Sequence, residues 1–287
     1  MRPGSLVGLL TVAMACAPGG PTTLRGVDSD GQDTEVPGDS SPTGPGADSD
    51  DDTDADTGDS ATVSPPTVVD VLFVVDDSCS MTEEQARLAT AFSSFLDELQ
   101  GSTVDWHVAV VSTDMDNRQK QGKLIRASGI SVVDATTPDP QTVFTLLVSL
   151  GASGSFTERG LQASQRAIEQ PTPVLQTANA GFLRPDADLH VVFVSDEDDQ
   201  SAPGTTRPQW LSVMRSRSQA TARPAMAWGL VGPVPLGCAV GSTEAAPAGV
   251  YQAAVQELGG QVWSVCDQDF GPHLRALAQV VAGTATP

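Results

Sequence analysis

Asp76, Ser78 and Ser80 stand at alternate positions in the string VDVLFVVDDSCSM, residues 69–81. One carboxylate and two hydroxyls at that spacing are hard oxygen donors of the kind Mg²⁺ prefers. Two later positions offer donors of the same kind. Thr157 lies in GSFTERGLQASQRAIE, residues 154–169, and Asp196 lies in LHVVFVSDEDD, residues 189–199.

Each of these residues sits where a particular element should present it. Val71 to Val75 form a short continuous apolar run, β-branched and aromatic, which reads as a strand buried on both faces. Behind it, residues 81–100 place Ala86, Leu88, Ala89, Phe92, Phe95 and Leu96 on one helical face. The run before Ser195 and Asp196 is a second buried strand, and Thr157 stands in a small-residue loop leading into a helix. Ligands of open α/β sheets bind outside the carboxyl ends of strands, which is where Asp76 and Asp196 fall.

The order DxSxS, then a loop Thr, then a strand-terminal Asp resembles the metal-ion-dependent adhesion site of the von Willebrand factor A family, over a region from about Pro66 to the C-terminus. The resemblance implies that Ser78, Ser80 and Thr157 give hydroxyl oxygens to Mg²⁺ (or Mn²⁺ or Ca²⁺), with Asp76 and Asp196 binding directly or through water. It also implies an open coordination position that a partner protein fills with an acidic side chain. Cys79 stands where the family more often has Gly. Asp77 and the run Glu197, Asp198, Asp199 add carboxylates expected around the rim.

The same residues have local uses. Ser80 with Glu83, and Ser155 with Glu158, have capping-box spacing, and strand-end carboxylates can simply face water. Capping and cation binding are compatible for Ser80.

The pattern of elements predicts the fold class: a Rossmann-like α/β three-layer sandwich, with a mainly parallel central sheet and helices on both faces. Strands are expected over 69–76, 104–113, 189–195, 225–231 and 261–266, with an edge strand near 124–127. Helices are expected over 81–100, 140–149, 158–169, 207–217, 250–258 and 270–281, and residues 170–188, with three prolines, read as a loop. His107, His190 and His273 are scattered among these elements, and structural roles are expected for all three.

Composition divides the 287 residues. Residues 17–66 carry twelve acids against one Arg and almost no large apolar side chains. Such a segment cannot bury enough surface to offset its ordering entropy and is expected to be a disordered tether. About 220 residues remain, enough for one well-buried domain. The formal charge of −21 is shared almost evenly between tether and domain, and no basic face suits a nucleic acid.

Residues 1–15 read as an export signal: Arg2, then an apolar stretch too short to span a bilayer. Val12-Ala13-Met14-Ala15 before Cys16 resembles a bacterial lipobox, and Ala13-Met14-Ala15 is also an A-x-A cleavage site. The first route lipidates Cys16 and anchors the chain in the cell envelope; the second secretes it. An acidic tether from Cys16 to residue 66 would span roughly 40 Å or more, which favours the anchored form.

Four cysteines occur. With Cys16 lipidated, Cys238 and Cys266 are the expected disulfide, and Cys79 an unpaired small filler. Function is therefore expected to be cation-dependent protein binding at an envelope surface, without catalysis. One alternative is a phosphohydrolase like the haloacid dehalogenases, with Asp76 as nucleophile; that family needs a second Asp where this chain has Ser78. Another is a structural lipoprotein whose cation only stabilises the fold.

Overall fold

The computed structural model describes residues 67–100, 102–201 and 205–287. The chain separates into Met1–Ser64 and Pro65–Pro287, and all described residues belong to the second unit. The signal peptide, the acidic tether and the lipidation site Cys16 lie outside them.

In chain order the elements are β1 Val68–Val75, a 3₁₀ turn Cys79–Met81, α1 Thr82–Leu99, β2 Asp105–Ser112, β3 Val132–Val133, α2 Pro140–Val148, α3 Gly160–Glu169 and α4 Pro173–Ala178. Then follow β4 Asp188–Ser195, α5 Arg207–Thr221, β5 Ala225–Val231, β6 Cys238–Val240, β7 Thr243–Ala245, α6 Gly249–Glu257, β8 Val262–Ser264 and α7 Gly271–Val281. Six strands form one sheet in the order β3-β2-β1-β4-β5-β8, parallel except for β3, and β6 and β7 pair as a separate antiparallel hairpin.

The sheet is buried because β1 feeds two cores. Val71, Phe73 and Val75 join α1, α2 and α7 in one cluster, with Phe92, Phe95, Phe144, Leu274 and Leu277. Leu72 and Val74 join α3, α5 and α6 in the other, with Leu161, Trp210, Tyr251 and Val255. That alternation is the two-residue period of a strand covered on both faces. Each such side chain contributes roughly 1.5–3 kcal/mol on burial, so a charge at Phe73, which meets Phe144 edge-on at 5.2 Å, would break both the layer and the strand. The architecture is a three-layer α/β sandwich.

Strand order reverses at β1, with β2 on one side and β4 on the other. The crevice outside the carboxyl ends of β1 and β4 is therefore the topological switch point.

Three expectations about elements need correction. The edge strand lies at Val132–Val133 rather than near 124–127. Ile125 N–H does bond Val110 O at 2.8 Å, but Ala127 and Ile130 then close a turn on each other with Gly129 at φ 85°, and ladder pairing resumes only beyond it. Residues 170–188 hold α4, which Thr172 caps through Leu175 N–H and Pro173 starts at its first turn. The β6–β7 hairpin occupies a proline- and glycine-rich stretch in which no strand is expected. The histidines are structural as expected: His190, fully buried, accepts from the Trp228 indole at 3.0 Å, and its pKa falls to about 4 through burial. His107 Nδ1 lies 3.2 Å from Phe182 O and His273 Nε2 lies 2.7 Å from Asp267 Oδ2.

Candidate metal centre

The site begins where β1 stops. Asp76 N–H still bonds Val194 O of β4 at 3.0 Å, so its side chain leaves from the last paired position, fully buried. Asp76 Oδ1 accepts Ser78 N–H at 2.8 Å, a local turn that asparagine and aspartate favour. Oδ2 accepts the Ser195 hydroxyl at 2.7 Å. Gln85 on α1 donates to both Asp76 O and Gly151 O at 3.0 Å, pinning this turn to the loop before α3.

Ser78 Oγ and Ser80 Oγ are 3.2 Å apart, and the Ser80 hydroxyl lies within hydrogen-bonding reach of Asp196. Asp76, Ser78, Ser80 and Asp196 thus come together, graded from a buried Asp76 to a solvent-exposed Ser80. Neither capping role survives. The residue before α1 is Met81, α3 starts at Gly160 after Arg159, and neither N-terminus has a side-chain cap from Ser80 or Ser155. The first turn of α3 is capped from elsewhere: Gly160 N–H by the Tyr251 hydroxyl at 3.1 Å, Leu161 N–H by Asp199 at 2.9 Å and Gln162 N–H by Ser201 Oγ at 3.0 Å. Gly160 is required there, because a Cβ would stand 2.3 Å from the Tyr251 oxygen.

Thr157 is half-buried, its N–H tied to Ser155 Oγ at 3.0 Å. Among the described residues its hydroxyl makes no hydrogen bond to Asp76 or Asp196. Its neighbour Glu158, missed as a site residue because its spacing from Ser155 suggested a cap, is fully buried instead. The Thr113 hydroxyl donates to Glu158 Oε2, and the carboxyl is within hydrogen-bonding reach of Asp76.

The expected rim carboxylates have other employment. Asp77 is fully buried, accepts from Ser112 Oγ at 2.8 Å and contacts the Lys120 ammonium, which also lies 3.2 Å from Asp114 Oδ2. Gly154 packs on the same residue, where a Cβ would meet Asp77 Oδ1 at 2.3 Å. Asp198 caps α6 through Val250 N–H at 3.0 Å, and Asp199 caps α3 and takes Ser201. Glu197 alone of that run retains a bearing on the site: it is half-buried, bonded to Gln200 at 3.0 Å, and its charge acts on Asp196 and Glu158.

Burial, and then the charge of Asp76, push the Asp196 pKa up to about 7 and that of Glu158 to about 10; burial also raises Asp76. Like charges in a dry site cannot all ionise without a counter-charge. The nearby cations are committed, Lys120 to Asp77 and Asp114, and Arg87 to Glu84 at 2.9 Å. Asp196 Oδ1, Glu158 Oε1 and Glu84 Oε2 are buried without a hydrogen-bond partner. Among the described residues no set of three or more His, Cys, Asp or Glu is arranged to hold a metal, so hydroxyls must supply part of any donor set. Buried orphan carboxylate oxygens beside two serine hydroxyls fit a hard dication.

Cys238 and Cys266 are disulfide-linked, Cα–Cα 6.1 Å, joining the β6–β7 hairpin to the turn after β8. Cys79 is disulfide-bonded as well, and no described cysteine is free, which corrects the expectation of an unpaired filler. Its position inside the DxSxS turn means that turn is covalently restrained.

No family model and no curated protein matches this chain. Similar solved structures include the pilus adhesin SpaC from Lactobacillus rhamnosus GG in its open conformation, with 13% identity and a TM-score of 0.44 over 75% of this chain and 30% of the adhesin. A second form of SpaC gives 13% identity and 0.46, over 75% and 31%. Proximal thread matrix protein 1 from the mussel byssus gives 11% and 0.43, over 76% and 49%. The chain covers less than half of each, and at these scores the likeness carries no argument about function.

Proposed function

We propose that the domain is a divalent-cation-dependent binding module of the von Willebrand factor A type, exported from a bacterial cell. The observation that carries the reading is the meeting of Asp76, Ser78, Ser80 and Asp196 at the switch point, with Asp196 Oδ1 buried and unpartnered. Ser78 and Ser80 would hold the ion directly, with Asp76 and Asp196 as carboxylates in contact or through water, and Thr157 approaching from the loop before α3. The cation would supply a fixed positive charge with an exchangeable position. Mg²⁺ held by few carboxylates keeps waters, and a carboxylate from a partner protein replaces one. Disulfides at Cys79 and Cys238–Cys266 suit an oxidising compartment.

The phosphohydrolase alternative is weakened by Ser78, where a second Asp is needed, and by the commitment of Lys120 to Asp77 and Asp114. Mg²⁺-dependent turnover of a phosphate ester would favour it.

The test is thermal. A ligand that binds only the folded state at a hundred times its Kd stabilises by about 2.7 kcal/mol, which for a domain of this size raises Tm by about 5–10 °C. Mg²⁺ or Mn²⁺ should produce that rise in the wild type and not in Asp76→Ala or Ser80→Ala. An unchanged rise in both variants would sink the reading.

A further inference from the structure

We infer that Glu158 is a direct carboxylate ligand of the cation, a donor outside the DxSxS, Thr and Asp set; the inference rests on the cation site proposed above.

Glu158 is built into place. Its carbonyl accepts Gln200 N–H at 2.7 Å, the next N–H, of Arg159, bonds Thr113 O at 3.3 Å, and the residue bridges Asp114 in antiparallel fashion. The loop before α3 is thereby fastened to the ends of both β2 and β4. The side chain is fully buried, and one oxygen is fixed by the Thr113 hydroxyl while the other has no partner. That free oxygen belongs to a carboxyl in reach of Asp76, whose own two oxygens are already spoken for by Ser78 N–H and the Ser195 hydroxyl. Two buried carboxyls within hydrogen-bonding reach of each other, neither ion-paired with both its oxygens, call for a shared proton or a metal ion. Ser78, whose N–H the same aspartate accepts, has its hydroxyl 3.2 Å from that of Ser80, so oxygen donors for an ion stand close by. A dication with Asp76 and Glu158 as its contacting carboxylates is charge-neutral.

The variant that decides is Glu158→Gln in the full chain under non-reducing conditions. Glutamine can keep accepting from Thr113 and can donate its amide to Asp76, so it preserves any positioning role while removing the charge. Mn²⁺ and Mg²⁺ alone are titrated by calorimetry into wild type, Glu158→Gln, Glu158→Asp and Ser80→Ala, with the metal-free Tm of each as the check on folding. The expected result is a loss of at least about ten-fold in affinity for both ions in Glu158→Gln, with a metal-free Tm no lower than wild type. Glu158→Asp, which withdraws the carboxylate by one methylene, should lose affinity too. Wild-type affinity in Glu158→Gln would overturn the inference and identify the pair as proton-sharing; if Ser80→Ala loses binding in the same experiment, the site itself still stands. No binding to the wild type would remove both.

Discussion

The hydroxyl of Ser195, the last residue of β4, donates to Asp76 Oδ2 at 2.7 Å across 119 residues of sequence. This bond joins the two strands that diverge at the switch point and fixes the orientation of the aspartate from which the candidate site is built. Ser195 Oγ also accepts Glu197 N–H at 3.2 Å, so one hydroxyl shapes both strand-end turns.

Ser195→Ala should therefore cost about 1.5–3 kcal/mol, as expected for a buried hydrogen bond to a charged group, and should weaken Mg²⁺ binding although Ser195 lies outside the donor set. Chemical denaturation in chelator and a metal titration measure the two effects separately. Intact metal affinity would show that Asp76 is oriented without it.

Cation binding should strengthen with pH. The folded-state pKa of Asp196 is raised to about 7 from the ordinary 3.8, so the metal-free protein holds a proton there that the unfolded chain releases. The stability linked to that proton is present at low pH and is lost as pH rises from about 4 through 7. A dication must displace the same proton. The Mg²⁺-induced rise in Tm should be larger at pH 8 than at pH 5, and Asp196→Asn should flatten the dependence of metal-free stability on pH. A Tm increment independent of pH would contradict this.

Lys120→Met should leave Asp77 buried beside Asp114 without a counter-charge and destabilise the domain by about 3 kcal/mol. Pairing it with Asp77→Asn should recover most of the loss, because the cost lies in the unpaired charge. Equal destabilisation of single and double variants in urea would place the role of Lys120 in packing instead.

Cysteine chemistry and anchoring test each other. Lipidation puts the Cys16 sulfur in a thioether and removes it from disulfide exchange, while Cys79 is disulfide-bonded. Non-reducing peptide mapping of the mature protein should find Cys238 linked to Cys266 and Cys79 in a disulfide, and intact mass should find Cys16 without acyl groups. Acyl groups on Cys16, with Cys16→Ser released from membranes, would restore the anchored reading in place of the secreted one. Loss of the Cys238–Cys266 bridge through paired Ser substitutions should cost roughly 3–4 kcal/mol for a loop of this length.

The layers and most strands were legible because burial on two faces leaves a continuous apolar run that no other element needs, as in Val71–Val75 and in the run before Ser195. Asp76 and Asp196 were legible for the same reason, as the first carboxylates after such runs. What sequence could not settle was employment. Asp77, Asp198 and Asp199 look like further donors, yet one is neutralised by Lys120 from a distant loop and two cap helices that start far from them in the chain. Glu158 looks like a cap and is drawn inward, because α3 is capped by Tyr251, Asp199 and Ser201. The β3 pairing likewise depended on a turn at Ser128–Gly129 whose geometry local propensity does not announce. Sequence by itself determined the donor types, their order and the strand ends that carry them, since these follow from hydrophobic period and residue chemistry. Only the tertiary structure decided which carboxylates are paired and which are left over, because the counter-charges and helix N-termini that satisfy them come from segments tens of residues away.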